Sequence, residues 1–322
     1  MRLKMKDIAD MAGVSPSAVS LIINGRADGR ISAEKQELVQ EIVKKYNYRS
    51  NMLARNLRAK KSNTVGVWML YPVNQGYTEV MIALQQELRK KGYTPLFAFF
   101  GNDPCDAEKL ENEMLETLHT ICAHDVCGLI AMHNHDELRK INIPKVVWGH
   151  SDQIGGVEYD FLSTVKCAVE YLKTLGHTRV GFAGLPQDPY NLNLQQILPG
   201  MPVFECVASL LTPVDNVIAQ WKAMSDPPTA LMIHNDTLAG RIIFDAMQHG
   251  IRIPEDLSIL SFRSVANPVI PELTGFINNC TDGMRILVDM LERKIENPEQ
   301  PLEHIFLAQE FREGRTCRKL DK

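Results

Sequence analysis

The spacing of apolar positions predicts two short helices near the amino end of the chain. Ile8, Ala9, Met11 and Ala12 recur at the three- and four-residue intervals of an amphipathic helix. Gly13 is expected to end this helix, because glycine readily adopts the left-handed backbone conformation found just past helix ends. A second helix starts directly after this turn, so the pattern predicts a helix-turn-helix.

The second helix has a defined start, a buried side and a polar side. Ser15 is placed to cap it, and Pro16 occupies the first helical position, where a missing N–H costs nothing. The side chains expected to face the first helix are Val19, Ile22 and Ile23. Those expected on the exposed face are Ser17, Ala18, Ser20 and Leu21. A third helix, capped by Ser32 and ending near Lys45, completes a head of residues 1–48.

From residue 63 onward, short apolar runs alternate with longer amphipathic segments. The apolar runs predict strands at 64–70, 94–100, 125–132, 145–148, 178–183, 229–233 and 258–261. Helical periodicity predicts helices at 77–91, 106–123, 161–175 and 237–249. This alternation is typical of doubly wound parallel sheets with helices on both faces. Because the pattern occurs twice, it predicts two α/β lobes with a cleft at the carboxyl ends of their strands.

Charge is distributed unevenly along the chain. The net charge is −4, yet residues 1–62 hold thirteen Lys/Arg and six Asp/Glu and therefore carry +7, which leaves −11 for residues 63–322. A basic head with a basic linker at 49–62, followed by an acidic body, indicates that the head binds a polyanion.

Composition limits the classes of protein to which the chain can belong. A chain of 322 residues with 45% hydrophobic and 23% charged residues fits a multidomain globular protein and excludes a disordered or fibrous one. No apolar run approaches the roughly 18 residues of a membrane helix. The charged amino-terminal residues lack the apolar core of a secretory signal, which argues against a secreted solute receptor. Seven cysteines without a C-x-x-C pair favour reduced thiols and a cytoplasmic location.

No metal site, cofactor or catalytic centre is expected. A zinc site built from Cys122, Cys127, His133 and His135 would lack the usual ligand spacing. The chain has no P-loop, G-x-G-x-x-G, G-x-S-x-G or H-E-x-x-H motif. These observations favour a binding protein over an enzyme.

Three motifs of the head are specific: Lys6-Asp7-Ile8-Ala9, Ser15-x-x-x-Val19-Ser20-x-x-x-Asn24 and Asn47-Tyr48. Together they resemble the head of the LacI/GalR family of bacterial transcription regulators. The resemblance implies that the second helix lies in the major groove of operator DNA. The contacts that it implies are Lys6, Ser15, Pro16, Ser17, Ala18, Ser20, Leu21 and Asn24. Leu21 stands where many members have Arg, so contact with thymine methyl groups is expected instead of a bidentate bond to guanine.

The linker at 49–62 has a helical period but is too short to form a stable helix alone. By the same resemblance it is a hinge helix that becomes ordered on the operator. The hinge residues expected to contact DNA are Met52, Leu53, Ala54, Arg55, Leu57 and Arg58. Leu57 would wedge open a base step in the minor groove. Ser50 replaces the usual proline at the hinge start, which leaves the hinge geometry open.

The body carries family motifs as well, among them Leu175-Gly176-His177, Asn235-Asp236 and Pro271-x-Leu273-Thr274. They resemble the two-lobed, periplasmic-binding-protein-like body of the family, in which the chain crosses between the lobes three times. This implies a first lobe of about 63–157 and 276–300 and a second of about 158–275 and 301–318. It also implies a homodimer that represses transcription from a pseudo-palindromic operator and responds to a small molecule in the cleft.

Six side chains near the predicted strand ends are candidate effector contacts. They are Tyr71, Tyr77, Trp148, Asn235, Asp236 and Arg263. Arg263 stands where the family usually has Asp, which makes an anion such as a sugar phosphate or an acid more plausible; a neutral sugar and an empty cleft stay open. Asn235 and Asp236 either bind the effector or cap the following helix. The alternative function is a DNA-binding regulator whose body only dimerises or docks a protein partner.

Overall fold

The computed structural model describes residues 4–23, 25, 27, 29–46, 48, 62–72, 75–101, 107–206, 217–264 and 272–320. The chain divides into two compact units, Met1–Ser62 and Asn63–Lys322. The first unit contains the predicted head, and the second is the body.

The head contains three helices, α1 (Met5–Ala12), α2 (Pro16–Ile23) and α3 (Ala33–Lys45). Gly13 follows α1 with a left-handed φ of 61°, as its position predicts. The Ser15 hydroxyl accepts a hydrogen bond from the Ala18 N–H at 3.1 Å, which confirms the predicted cap of α2. Ser32 precedes α3 as predicted, but its side chain makes no capping hydrogen bond. The fully buried core residues of the head include Ile8, Ala9, Val19, Ile22 and Val39.

The first sheet of the body is entirely parallel. Its strands are β1 (Thr64–Leu70), β2 (Thr94–Phe100), β3 (Gly128–Ala131), β4 (Lys145–Trp148), β5 (Gly156–Tyr159) and β11 (His304–Leu307), in the order β11-β5-β4-β3-β1-β2. Helices α4 (Gln75–Lys90) and α10 (Cys280–Glu296) cover one face, and α5 (Ala107–Ala123) covers the other. A short 3₁₀ helix, Asp136–Lys140, lies between β3 and β4.

The second sheet repeats this strand order. Its strands are β6 (Val180–Gly184), β7 (Val203–Glu205), β8 (Ala230–Ile233), β9 (Ser258–Ser264), β10 (Thr274–Ile277) and β12 (Glu310–Arg312), in the order β12-β10-β9-β8-β6-β7. Only β12 is antiparallel to its neighbour among these described pairs. Helices α6 (Phe161–Thr174) and α7 (Pro189–Ile197) cover one face, and α8 (Val217–Ala223) and α9 (Asp236–Gln248) cover the other.

The predicted fold class is confirmed: a helical head precedes two parallel α/β lobes. Every strand and helix predicted in the body is present, with ends shifted by a few residues. The sequence did not predict the short strands β5, β7, β10, β11 and β12 or the helices α7, α8 and α10. These strands have only three or four residues, so their apolar runs are too short to give a clear period.

The chain crosses between the lobes three times, but the predicted boundaries need correction. The crossings lie at residue 160, at 278–279 and at 308–309. Residues 158–159 therefore belong to the first lobe and 276–277 to the second. The segment His304–Leu307, predicted in the second lobe, pairs in parallel with β5 and extends the first sheet. The error arose because β11 is an edge strand whose register depends on its partner rather than on its own pattern.

The Gly176-His177 motif has a structural role in the second lobe. His177 is buried, with Nδ1 2.9 Å from the Thr229 hydroxyl and Nε2 3.1 Å from the Arg318 carbonyl oxygen. Burial lowers the pKa of His177, so the neutral ring is favoured. The motif thus joins the end of α6 to the carboxyl-terminal segment.

Candidate functional sites: the outward face of α2 and the interlobe cleft

The first candidate site is the outward face of α2 in the head. Ser15, Pro16 and Ser17 are exposed at the start of this helix, and Lys6 is exposed on α1. The Ser15 hydroxyl donates to the Ser17 hydroxyl at 3.4 Å while it caps the helix. These side chains are short, so the start of α2 can approach another surface closely.

The rest of this face differs from the expectation. Ala18, Ser20 and Leu21 are half-buried rather than exposed, and Leu21 packs at the edge of the head core. They remain partly accessible because α2 buries only its inner side, at Val19 and Ile22. The other predicted DNA contacts lie outside the described residues: Asn24, Met52, Leu53, Ala54, Arg55, Leu57 and Arg58.

The second candidate site lies where β6, β8 and β9 end. These strands are neighbours in the second sheet, so their carboxyl ends meet at one edge. Asp188 caps α7 in the loop after β6, His234 follows β8, and Arg263 is the penultimate residue of β9. Three ionisable side chains therefore lie at the cleft end of the second lobe.

The buried carboxylate of Asp188 pairs with the partly buried ring of His234. The Asp188 carboxylate contacts His234 Nδ1 and accepts a hydrogen bond from the Tyr190 N–H at 2.8 Å. Burial by itself raises the pKa of Asp188, but the contact with His234 and the charge of Arg263 outweigh it and lower that pKa. Burial, followed by the charge of Arg263, lowers the pKa of His234. At neutral pH this pair is therefore a carboxylate beside a neutral imidazole.

Arg263 lies against two aromatic rings. Its guanidinium carbon is 5.3 Å from the ring centroid of Tyr190 and 6.0 Å from that of Phe161. Burial by itself lowers the pKa of Arg263. The interactions with Tyr190 and Asp188 outweigh burial, so the pKa of Arg263 lies above its ordinary value. Its Nε is buried and has no hydrogen-bond partner in the described part of the chain. A buried donor without an acceptor is costly, so this atom is suited to receive one from a ligand.

The first lobe contributes neutral aromatic groups to the same place. Burial raises the pKa of Tyr77 on α4, and the charge of Arg263 partly opposes that shift, which places the two within electrostatic reach. Burial likewise raises the pKa of Tyr159 at the end of β5, and Arg263 again opposes the shift. Trp148 packs edge-on against Tyr159, with ring centroids 5.2 Å apart. The cleft therefore joins a charged wall to an aromatic one.

Tyr71 and the Asn-Asp pair complete the predicted effector contacts. Tyr71 is 46% exposed and packs against Phe99, with ring centroids 6.1 Å apart. The Asn235 amide oxygen accepts from the Leu238 N–H at 2.8 Å, so Asn235 caps α9. Asp236 is buried in the first turn of the same helix. The structure thus brings Tyr77 and Arg263 together and gives Asn235 the capping role.

The charged wall is bonded to the crossings between the lobes. The Tyr190 hydroxyl donates to Gln309 Oε1 at 2.7 Å. Gln309, in the third crossing, donates to the Phe262 carbonyl at 2.8 Å and to Asn278 of the second crossing at 2.5 Å. The N–H of Asp160, in the first crossing, donates to the Leu307 carbonyl at 2.9 Å. The charged wall is therefore hydrogen-bonded to two of the three segments that connect the lobes.

The residues of this site that were missed from the sequence include Asp188, Tyr159, Phe161, Tyr190, His234 and Gln309. A signal did exist for the first of them. Asp188 followed by Pro189 matches an N-cap followed by proline at the first helical position, which predicts a helix start there. The contacts of His234 and Gln309 depend on tertiary packing and leave no local pattern.

Neither a metal site nor a membrane-spanning helix is present in the part of the chain that the structure describes. No group of three or more His, Cys, Asp or Glu side chains is arranged there to hold a metal ion. None of the helices described has the length and apolar character needed to cross a membrane.

Two family models match the chain. Residues 4–51 match the bacterial regulatory proteins of the lacI family, and residues 169–317 match a periplasmic binding protein-like domain. The HTH-type transcriptional repressor PurR of Vibrio cholerae is 30% identical over 295 residues, covering 81% of each chain. Catabolite control protein A of Staphylococcus xylosus is 27% identical over 332 residues, covering 94% of this chain and 97% of that protein.

Solved structures share the fold over nearly the whole chain. The lac repressor dimer bound to operator and the anti-inducer ONPF superposes with a TM-score of 0.82 at 20% identity, covering 99% of this chain and 100% of the other. The complex of the transcriptional regulator CelR with cellobiose gives a TM-score of 0.64 at 18% identity, covering 98% and 100%. At these identities the likeness supports the fold of both head and body.

Proposed function

The chain belongs to the LacI family of bacterial DNA-binding transcriptional regulators, and we propose that it represses transcription as a homodimer whose operator affinity responds to a neutral polyhydroxylated ligand. The chain is a regulator rather than an enzyme. Because operator DNA is chromosomal, the proposed compartment is the cytoplasm. The observation that supports this ligand class is the proximity of the Arg263 guanidinium to the Asp188 carboxylate.

The proposed DNA contact is made by α2 in the major groove of each half-site. The exposed Ser15, Pro16 and Ser17 at its start support this placement, because the beginning of a recognition helix is the part that reaches base edges. Leu21 is partly accessible on the same helix and offers an apolar surface for thymine methyl groups. The proposed hinge contacts around Leu57 rest on the sequence alone.

The DNA-binding proposal is tested on the full chain. Its operator is first selected from random duplexes, and affinity is then measured by fluorescence anisotropy for the selected and a scrambled duplex. Leu21→Ala should weaken selected binding about fivefold per half-site through lost methyl contact, with little change on the scrambled duplex. The matched control is Leu38→Ala on α3, also a partly exposed leucine of the head. Equal losses for both variants, or equal losses on both duplexes, would contradict base contact by Leu21.

The proposed dimer uses the exposed apolar face of α9. Phe244 is 64% exposed and Met247 is 68% exposed, and their spacing of three places them on one side of the helix. Large exposed apolar side chains of this kind mark contact surfaces, and a second copy of the chain would cover them. The lac repressor, which shares the fold, is a dimer on its operator.

Sedimentation velocity tests this interface. Phe244→Glu should convert the dimer to monomer at micromolar concentration, because it places a charge in an apolar contact. Leu192→Glu is the matched control, since Leu192 is 52% exposed on α7 and lies outside the proposed face. If both Phe244→Glu and Met247→Glu remain dimeric, the dimer interface does not lie on this face of α9.

The ligand class follows from the charge balance of the cleft. Arg263 alone makes an anion more plausible, and the sequence leaves a neutral sugar and an empty cleft open beside it. Asp188 supplies a buried counter-charge beside it, and His234 is neutral, so an added anion would leave an unbalanced negative charge. A neutral sugar-like molecule adds hydroxyl acceptors for Arg263 and apolar ring faces for Tyr190 and Tyr77 without changing the charge.

A thermal-shift and calorimetric screen of the full chain tests this assignment. The panel contains neutral mono- and disaccharides, their phosphates, organic acids and purines. Arg263→Gln should weaken a neutral hit about 10- to 100-fold, because a hydrogen bond to a charged group is lost. Arg179→Gln, on the same lobe and half-exposed, should not change it.

Two outcomes would overturn the ligand proposal. Cleft binding of anions alone, abolished by Arg263→Gln, would show that Asp188 does not balance the site. Absence of any hit would favour the alternative regulator, whose body dimerises or docks a protein partner without sensing a small molecule.

A further inference from the structure

A second recess lies at the opposite end of the first sheet from the cleft. It is a small recess, partly open to solvent, and is lined by residues that begin β4 and precede β11, together with the last turns of α10. Lys145 begins β4 and Trp148 ends it at the cleft, so the two ends are about 10 Å apart along the strand. Because β1 runs parallel to these strands, the recess lies at the sheet end where the chain arrives from residue 63.

Three cationic side chains line this recess, namely Lys145, Arg293 and Lys294. Arg293 forms an ion pair with Glu303 at 2.6 Å. Lys145 Nζ donates to the Ile141 carbonyl at 2.7 Å, and Lys294 Nζ donates to the Gln300 carbonyl at 2.6 Å. Neither lysine forms an ion pair with a carboxylate in the described ranges. Two positive charges are therefore held together without a counter-ion.

The two lysines also repel each other. Both are half-buried, and burial, followed by the charge of Lys294, lowers the pKa of Lys145, while the Cys122 thiol opposes the shift. An ammonium group keeps three donors, and a carbonyl occupies one on each lysine. Donors and uncompensated charge thus remain available in the same small space.

The remaining wall is shaped for a small molecule. Gly155 lines the recess, and a Cβ at this position would lie 3.2 Å from the Glu303 carbonyl oxygen, so a larger residue would crowd the wall. The apolar part of the lining consists of Val146, Met290, Pro301 and Leu302. The recess therefore combines a cationic rim with an apolar floor.

We propose that this recess, the basic pocket, binds the phosphate group of a small phosphate monoester. A carboxylate would neutralise one lysine, whereas a phosphate carries close to two negative charges at neutral pH and matches Lys145 and Lys294 together. The apolar floor contacts the carbon skeleton that bears the phosphate. This site is separate from the cleft and from the ligand assigned there.

Calorimetry on the full chain tests the basic pocket with two probes, inorganic phosphate and glycerol phosphate. Glycerol phosphate should bind more tightly than inorganic phosphate, because only it reaches the apolar floor. Lys294→Gln should weaken both probes at least about tenfold through loss of a charged donor, and Lys294→Arg should restore most of the affinity. Lys166→Gln removes the same charge from an exposed position on α6 and should have no effect.

The outcomes separate the basic pocket from the cleft. Loss of phosphate binding in Lys294→Gln with retention in Arg263→Gln supports the proposal. Loss in Arg263→Gln alone would place the anion in the cleft and overturn it. Equal binding by Lys294→Gln, Lys166→Gln and the unaltered chain would also overturn it, as would absence of saturable binding. Far-ultraviolet circular dichroism and the melting temperature establish that each variant is folded.

Discussion

The two lobes repeat one strand order yet carry different chemistry where their strands end at the cleft. In the first lobe, β4 and β5 end in Trp148 and Tyr159, which pack against each other. In the second lobe, the loop after β6, the residue after β8 and the end of β9 supply Asp188, His234 and Arg263. Under the proposed function, the second lobe would set ligand specificity through charge and hydrogen bonds, and the first lobe would supply apolar surface.

The largest expected effect comes from removing the counter-charge of the second lobe. Asp188→Ala should lower the free energy of unfolding of the body by about 3 kcal/mol, because it leaves the buried charge of Arg263 without an anion and also removes the cap of α7. Urea denaturation followed by circular dichroism measures this change.

An exposed carboxylate in the same lobe is the control. Asp226 pairs with Arg179 at 3.0 Å, and both side chains are largely solvated, so Asp226→Ala should cost no more than about 1 kcal/mol. A loss for Asp188→Ala as small as the loss for Asp226→Ala would mean that the cleft charges are solvated. The charged wall of the second lobe would then contribute no more to stability than an exposed ion pair does.

The lobes also differ in the surroundings of a histidine just after a central strand: His133 in the first lobe is exposed, whereas His234 in the second is partly buried. His133 follows β3 in the first lobe and packs edge-on against Trp68 and Phe100, with centroids 6.5 and 6.2 Å away. His234 follows β8 in the second lobe and contacts Asp188. Partial desolvation is the largest cause that lowers the pKa of each ring, with His135 adding to the effect on His133 and Arg263 to that on His234.

These pKa shifts predict a loss of stability in mild acid. A histidine whose pKa is lower in the folded state binds protons preferentially when unfolded, so its stabilising contribution is complete above pH 6.5 and falls as the pH drops toward the folded value. His234 contributes at most about 1.4 kcal/mol per pH unit, and His133 contributes much less because water screens its exposed ring. Denaturation between pH 7 and pH 5 should show this slope, and His234→Gln should reduce it more than His133→Gln.

Substitution in the two lobes should give different patterns. His133→Gln should flatten the pH dependence only slightly and cost little at pH 7, because the ring is exposed. His234→Gln should flatten it as well but also lower stability at pH 7, because Asp188 loses its partner. A slope that neither variant changes would exclude both rings as its source.

The elements that the sequence predicts are those whose signals are local. The cap at Ser15, the turn at Gly13 and long strands such as β1 follow from neighbouring residues alone. The cleft chemistry does not, because Arg263 meets a carboxylate 75 positions earlier, brought there by the order β9-β8-β6. Arg263 alone makes an anion more plausible, and its neighbour in space supports the neutral ligand proposed above. The edge strand β11 was misplaced for the same reason, since its partner decides its sheet.

The smallest expected effect concerns Asn235, at the start of α9 in the second lobe. Its amide oxygen accepts from the Leu238 N–H at 2.8 Å, and Asn279 caps α10 of the first lobe in the same way, accepting from Asp282 at 3.1 Å. Asn235→Ala should therefore lower the free energy of unfolding by about 1 kcal/mol, as loss of an N-cap does, and Asn235→Ser should retain most of it. Asn279→Ala is the matched variant in the first lobe and should cost a similar amount.

Ligand affinity then decides whether Asn235 does more than cap. With its oxygen committed to the helix, the Kd of a cleft ligand should change by less than about twofold in Asn235→Ser, which keeps the cap. A tenfold loss of affinity in Asn235→Ser at unchanged stability would show that the amide N–H₂ group binds the ligand. The second lobe would then supply a neutral donor beside Arg263, and recognition there would not rest on charge alone.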